Sequence, residues 1–327
     1  MPQYTFHQIS LDVLSEGKGI QDFLDQLLQD MSWAPTLSST QEPLLRVSFR
    51  HNGQGIGVLP PQARQVFKVE GFEGYETGPD FYLTYGPSFF HLQPLEGKGE
   101  AHLAPSFFVQ SPLLQQKFFA YGLIRLLRTL GLFSLHAAGL LTPDGMGVLI
   151  VGSSGSGKST LTIGLIRKGW GYLSDDAVLL RKHSDVVEVL AMRRHCFIDA
   201  QTPVDYSDFR LGEMVPDAMS GQRQRVYVDE TYPGQAVSTC VPQVLVFSRI
   251  VPEPNSTLQP MSRVDALKNL LTESAPQLFD QFTMAQHMEV LKTLLSQTKT
   301  YELRAGLDLH RDPLILERLL AQAGKVA

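Results

Sequence analysis

The chain has 327 residues, 43% hydrophobic and 19% charged, proportions that fit a folded globular protein and exclude a disordered one. That length leaves room for one large domain or two smaller ones. Lys and Arg number 28 against 33 Asp and Glu, a net charge of −5, so no basic excess exists to displace counterions and no nucleic-acid partner is expected.

Cys196 and Cys240, the two cysteines, have neither metal-ligand nor CxxC spacing, which points to a reducing compartment. The opening Met1-Pro2-Gln3-Tyr4-Thr5-Phe6 lacks the pattern of a signal peptide. No apolar run approaches the roughly 20 residues that cross a bilayer. A soluble cytoplasmic protein without a membrane partner is the expectation.

In chain order, residues 1–112 mix short alternating segments with turn formers. Leu44–Phe49 and Phe81–Tyr85 alternate as half-buried strands do, and Asn52-Gly53 and Gly78-Pro79 supply turn signals. Gly19 to Met31 carries Ile20, Phe23, Leu24, Leu27 and Leu28 at helical spacing. A smaller α+β N-terminal domain of undisclosed role is expected over 1–112, and a second domain over 113–327. Ser111 to Leu130 is apolar on most sides and reads as a core helix between the two halves.

From Phe133 the pattern changes. Ser134–Leu141 and Gly147–Val151 are short apolar strands around the turn Thr142-Pro143-Asp144-Gly145. A glycine-rich loop, a helix from about Lys158 to Lys168 and a strand ending in Asp175-Asp176 follow. Further strands are expected from Leu179 to Val251. Two helices over 262–298, interrupted near Glu273–Pro276, a strand at Thr300–Arg304 and a helix at Pro313–Ala323 complete the α/β reading.

Gly152-Ser153-Ser154-Gly155-Ser156-Gly157-Lys158-Ser159 matches GxxxxGK[ST] at every fixed position, with Thr160 next. Glycines let the backbone fold around a phosphate so that N–H groups point inward. The helix that follows adds its positive N-terminal end. Lys158 would reach the β- and γ-phosphates of a nucleoside triphosphate and the Ser159 hydroxyl would ligate Mg²⁺. The apolar strand before the loop and the helix after it supply the context this motif needs.

Asp175-Asp176 ends the next strand. Adjacent residues of an extended strand face opposite ways, so one acid can serve a metal while the other accepts a proton; a solvated turn is the plainer alternative. His136 lies on the strand before the loop, where a histidine is either a satisfied core residue or a catalytic one.

Leu135-His136-Ala137, Gly147–Ile150, the loop 152–159, Gly169 and Leu173-Ser174-Asp175-Asp176 together resemble the C-terminal domain of HPr kinase/phosphorylase, and most of all its stand-alone HPr-kinase-like relatives. The resemblance is strong over about 133–180. It implies a P-loop nucleotide-binding domain of the phosphoenolpyruvate-carboxykinase-like type, using ATP and Mg²⁺ to phosphorylate a serine of a small protein or peptide. By position it makes Lys158 a phosphate ligand, Ser159 and Asp175 metal ligands, Asp176 the proton acceptor and His136 an active-site neighbour of the γ-phosphate. Family members can assemble into hexamers, so a homo-oligomer is one implied assembly. The family's downstream segment with a metal-binding glutamate has no counterpart; this chain reads Cys196-Phe197-Ile198-Asp199-Ala200-Gln201 there. That removes support for the reverse, phosphorylase half-reaction and for HPr itself as acceptor.

Other readings remain open. Arg223-Gln224-Arg225 either neutralises phosphate or forms a solvated strand face. Ser220–Val226 echoes the signature of ABC-type ATPases but lacks a glycine, and no buried strand ending in Asp-Glu-Pro follows. An ATP-binding module that organises a partner peptide with little catalysis, and a small-molecule kinase, are the alternatives to a protein kinase.

Overall fold

The computed structural model describes residues 2–16, 18–36, 42–51, 59–193, 195–199, 211–217, 221–274 and 279–325. The chain divides into two compact units, Met1–Leu132 with Gln277–Thr283, and Phe133–Pro276 with Met284–Ala327.

In the first unit the elements are β1 (Gln3–Phe6), β2 (Ile9–Ser15), α1 (Lys18–Asp30), β3 (Ala34–Thr36), β4 (Leu45–His51), β5 (Arg64–Val69), β6 (Phe72–Thr77), β7 (Asp80–Tyr85), β8 (Ser88–Gln93), β9 (Lys98–Leu103) and α2 (Pro112–Thr129). The strands form one nine-stranded sheet in the order β3-β1-β2-β4-β9-β8-β7-β6-β5. The turn expected at Asn52-Gly53 lies outside the described residues. The unit closes after α2, so the boundary falls at Leu132/Phe133 and not at 112/113. Aromatic packing explains the difference, since Phe118 of α2 meets Phe90 and Phe107, and Phe119 meets Phe49.

The second unit continues with β10 (Leu132–Leu135), β11 (Ala137–Leu141), β12 (Gly147–Val151), α3 (Lys158–Ile166), β13 (Gly171–Ser174), β14 (Val178–His183), β15 (Val186–Ala191), β16 (His195–Asp199), β17 (Leu211–Asp217), β18 (Gly221–Tyr227) and α4 (Val228–Thr231). It ends with β19 (Thr239–Cys240), β20 (Pro242–Ile250), β21 (Thr257–Pro260), α5 (Arg263–Thr272), α6 (Met284–Gln297), β22 (Lys299–Ala305), α7 (Leu307–Arg311) and α8 (Ile315–Lys325). Its main sheet has the order β13-β11-β12-β20-β22-β21.

Successive side chains of a strand face opposite sides, and both faces of this sheet are covered. Ala138, Leu140, Val148, Ile150, Val244 and Val246 enter one core with α3 and α8. Ala137, Leu149, Val151, Leu245 and Phe247 enter the other with α5 and α6. Continuous apolar runs such as Val148-Leu149-Ile150-Val151 are the signature of strands buried on both sides. Among the described residues, no helix is long and apolar enough to cross a membrane.

Strand directions bring the candidate residues to one sheet edge. β12 runs parallel to β20, and β20 parallel to β22. β11 is antiparallel to both β12 and β13. The C-terminal ends of β12, β13, β20 and β22 therefore share an edge with the start of β11, and such carboxyl ends are where open α/β sheets bind ligands.

Candidate active site

The loop 152–157 leaves β12 at that edge and leads into α3. Gly155 and Gly157 have φ of +81° and +87°, a region L side chains rarely adopt, which is why glycine stands at these turns. Ser248 at the end of β20 donates its hydroxyl to the Ser156 carbonyl at 3.1 Å, tying the loop to the sheet. Lys158 is only 6% exposed. Its ammonium donates to the carbonyl of Gly152 and, at 3.2 Å, to that of Ser153. Burial pushes its pKa down, against the pull of Asp175, Asp176 and Glu273.

The acid pair differs from the sequence reading in one respect. β13 ends at Ser174, and Asp176 has a φ of +68°. The two carboxylates thus diverge because the chain turns into the left-handed region, and not through strand alternation. Asp175 is buried and its backbone N–H donates to the Tyr172 hydroxyl at 3.1 Å. Burial and the Asp176 charge push its carboxyl up, while a hydrogen bond with Ser159 opposes the rise. The Asp175 Oδ1 is buried without a hydrogen-bond partner.

Asp176 points elsewhere. His136 Nε2 lies 3.1 Å from its Oδ1, and Arg193 Nη1 donates to its Oδ2 at 2.9 Å. Burial alone would push this carboxyl up. The hydrogen bond with His136 and the charges of Arg193, His136 and Lys158 reverse that and hold it far below the usual carboxylate range.

His136 interrupts the edge between β10 and β11. Its N–H donates to the Glu273 carbonyl at 2.7 Å, and its Nδ1 lies 2.7 Å from Glu273 Oε2. Burial lowers its pKa, but the bonds to Asp176 and Glu273 raise it to about 9, so the ring is an imidazolium at neutral pH.

Lys158, Ser159, Asp175, Asp176 and His136 are thus brought together at one sheet edge. Sequence reasoning missed Glu273, Arg193 and Ser248. None carries a local signal, since each is defined by a partner far along the chain. Arg223 and Arg225 lie on β18. Arg225 is buried with its guanidinium 5.7 Å over the Phe197 ring, and the Arg223 charge helps to depress Lys158; the stretch is no solvated face. Ala200 and Gln201 lie outside the described residues. Cys196 and Cys240 are free and buried; burial raises both thiols, Cys240 to about 12, which leaves them unreactive.

The donor set suits magnesium. Ser159 and the partnerless oxygen of Asp175 offer hard oxygen donors, and Mg²⁺ takes one or two such side chains with phosphates and water completing the shell. Among the described residues no group of three or more His, Cys, Asp or Glu could hold a metal, which leaves a magnesium ion dependent on those other ligands.

On the β20–β22 side of the loop lies a pocket of about 260 Å³, lined by Gly157, Thr160, Gly164, Arg167, Ile250 and Gly306 among others. It falls just below the roughly 300–1,000 Å³ range of ligand sites.

Together these features define a mixed α/β protein with a glycine-rich loop at the carboxyl edge of its sheet. Residues 133–196 match the family described as HPr Serine kinase C-terminal domain, a similarity confined to that segment of the chain. Similar proteins include the HPr kinase/phosphorylases of Chlorobium chlorochromatii (strain CaD3), 46% identical over 55 residues (17% of this chain, 16% of that protein), and Chlorobium limicola, 40% identical over 70 residues (20% and 21%). That of Mycoplasmopsis pulmonis is 48% identical over 46 residues (14% and 15%). The similarity spans about a sixth to a fifth of these relatives' own length. The HPr(Ser) kinase/phosphatase from Coxiella burnetii aligns over 58% of this chain and 95% of that one, at 14% identity and a TM-score of 0.30.

Proposed function

We propose that this chain is an ATP-dependent kinase, with a P-loop domain of the phosphoenolpyruvate-carboxykinase-like type, that transfers the γ-phosphate to a serine of a small protein or peptide. The observation that carries this reading is the meeting of the Lys158 loop with Asp175, Asp176 and His136 at one sheet edge. The similarity of residues 133–196 to HPr kinases supports it.

The geometry supports a direction for the nucleotide. β12 carries the loop, with the acids and His136 on its β11–β13 side and the pocket on its β20–β22 side. A triphosphate laid across the loop would place its nucleoside in the pocket and its γ-phosphate beside His136 and Asp176. The N–H groups of residues 152–160 would cradle the phosphates once Lys158 turns from the loop carbonyls to the β- and γ-oxygens. Magnesium, held by Ser159 and Asp175, would neutralise charge on those oxygens.

Asp176 would accept the serine hydroxyl proton as the new O–P bond forms. The bond from Pγ to the β,γ-bridging oxygen breaks, and its electron pair leaves with ADP. The work is positioning and charge neutralisation, with no covalent enzyme intermediate. A second reading, an ATP-binding module with little turnover, is favoured by the engagement of both Asp176 oxygens.

Incubation with γ-labelled ATP, magnesium and a low-mass protein fraction from the native cells separates the two. Phosphoserine label on a small protein, absent with Asp176→Asn, supports the kinase. ATP binding without label transfers the case to the binding module.

A further inference from the structure

Helix α5 ends in a carboxylate that neither the loop nor the acid pair requires. Glu273 closes that helix, its N–H donating to the Asn269 carbonyl at 3.0 Å. The helix is fixed to the sheet by Ala266 and Leu270, both fully buried, and Ser274 returns its hydroxyl to the Leu270 carbonyl at 2.6 Å. From this rigid end Glu273 holds His136 twice, accepting its N–H at 2.7 Å and meeting its Nδ1 at 2.7 Å.

We propose that Glu273 is the positioning residue of His136: it grips the Nδ1 side of the ring so that Nε2 can exchange Asp176 for an oxygen of the transferring phosphoryl group. This rests on the kinase reading of the site, and it assigns a role to a residue that reading does not use.

The two bonds of the ring are unequal in a way that sets which one yields. The Glu273 side chain is 13% exposed and that of Asp176 44%. Water and a ligand reach the Asp176 bond more readily than the Glu273 bond, so the Asp176 bond is the one open to exchange. A carboxylate on one ring nitrogen fixes ring orientation and keeps the other nitrogen a donor.

The exchange does two things in one movement. It frees Asp176 Oδ1 for an incoming hydroxyl, while Arg193 keeps Oδ2. It also turns a cation toward the charge that develops on the phosphoryl oxygens. His136 loses no proton in the step; the hydroxyl proton passes to Asp176 and the departing diphosphate carries the electron pair. The charged groups facing the ring are Asp176, Glu273 and Lys158, so removal of the Glu273 charge leaves Lys158 opposed to a single carboxylate beside it.

Glu273→Gln tests this, because it keeps the size and one hydrogen bond and removes the charge. The readouts are kcat and KM for ATP with an unphosphorylated acceptor that the wild type phosphorylates, and the ¹⁵N shifts of the His136 ring in the intact chain. The expected result is a fall in kcat of about 10–100-fold, the range for outer partners of functional histidines. KM for ATP should stay within about twofold, and the ring nitrogens should move toward neutral imidazole at neutral pH.

Unchanged ring shifts overturn the proposal, whatever happens to kcat, as does a wild-type kcat. A change confined to KM also overturns it. Glu273→Asp, which keeps the charge on a shorter arm, should recover part of kcat if the fold tolerates it, and a variant that is merely a weaker helix end would lose stability without moving the ring. If the wild type phosphorylates nothing, the ring shifts still decide the Glu273–His136 link, so failure of the kinase reading is distinguishable from failure of this one.

Discussion

His136 Nε2 and Asp176 Oδ1 meet at 3.1 Å although one residue precedes β11 and the other follows β13. Antiparallel pairing explains the meeting. Gly139 of β11 lies opposite Ser174 of β13, so the start of one strand and the exit of the other reach the same edge. Ala137 lies opposite Val151 in the adjoining pair, which sets His136 beside the first glycine of the loop. Strand register thereby juxtaposes a cation, an anion and the glycine-rich loop.

That ion pair makes stability depend on pH in a definite direction. The His136 pKa is about 9 in the folded chain against roughly 6.5 unfolded. A raised pKa contributes stability that is fully present below about pH 6.5 and is lost as pH rises through 9. The contribution is at most roughly 3 kcal/mol, shared with Asp176 and Glu273. Urea midpoints should fall between pH 6.5 and 9.5 in the wild type and fall less in His136→Gln; parallel curves would contradict the pairing.

Lys158→Ala should weaken MgATP binding about 10–100-fold, the loss expected for hydrogen bonds from a charged group to phosphate. Phosphoryl transfer should vanish. Calorimetry on a folded variant checks this, and an unaltered affinity would remove Lys158 from the phosphate site.

Asp176→Asn keeps the shape of the side chain and removes its charge. MgATP affinity should stay within a fewfold, while transfer drops by at least about 100-fold, the lower end of what general-base catalysis supplies. Single-turnover transfer measured beside nucleotide binding separates the two effects. Wild-type turnover would take the base role from Asp176.

The pocket beside the loop can be tested apart from the loop itself. Ile250, 52% exposed, lines it at the end of β20. Ile250→Trp should fill the space and cost ATP at least about tenfold in affinity, one or two buried contacts' worth. Inorganic triphosphate, which has no nucleoside, should bind as before. Equal losses for both ligands would place the nucleoside elsewhere.

In the first unit, Asp280 is the hub of a buried ion network. Its Oδ2 lies 3.1 Å from Arg125 and 3.2 Å from Arg128, both arginines being nearly inaccessible. Asp280→Ala removes the carboxylate that Arg125 and Arg128 share, while Arg125 keeps Glu76 at 2.6 Å, and should destabilise the fold by about 3 kcal/mol, read as a lower denaturation midpoint. A shift within error would show the network to be dispensable.

The strand–loop–helix unit was legible because its chemistry is local: glycine at left-handed turns, an apolar strand before and an apolar helix after. Buried strands such as Val148–Val151 declared themselves by length and composition for the same reason. The acid pair was legible as a pair, but its geometry was not, since a positive φ at Asp176 leaves no mark in an Asp-Asp dipeptide. Glu273 was invisible, read only as a break between helices, because its meaning lies in a partner 137 positions away. The unit boundary shifted from 112 to 132 because helix periodicity reports burial and not which core a helix joins. The aromatic contacts of Phe118 and Phe119 decide that, and they are tertiary.

A crystal structure with magnesium and a non-hydrolysable ATP analogue tests the central claim most directly. The account predicts phosphates on the N–H groups of 152–160, the adenosine between α3 and the ends of β20 and β22, and the γ-phosphorus facing His136 and Asp176. A nucleotide bound away from the loop, or laid across it with the adenosine on the His136 side, would contradict it.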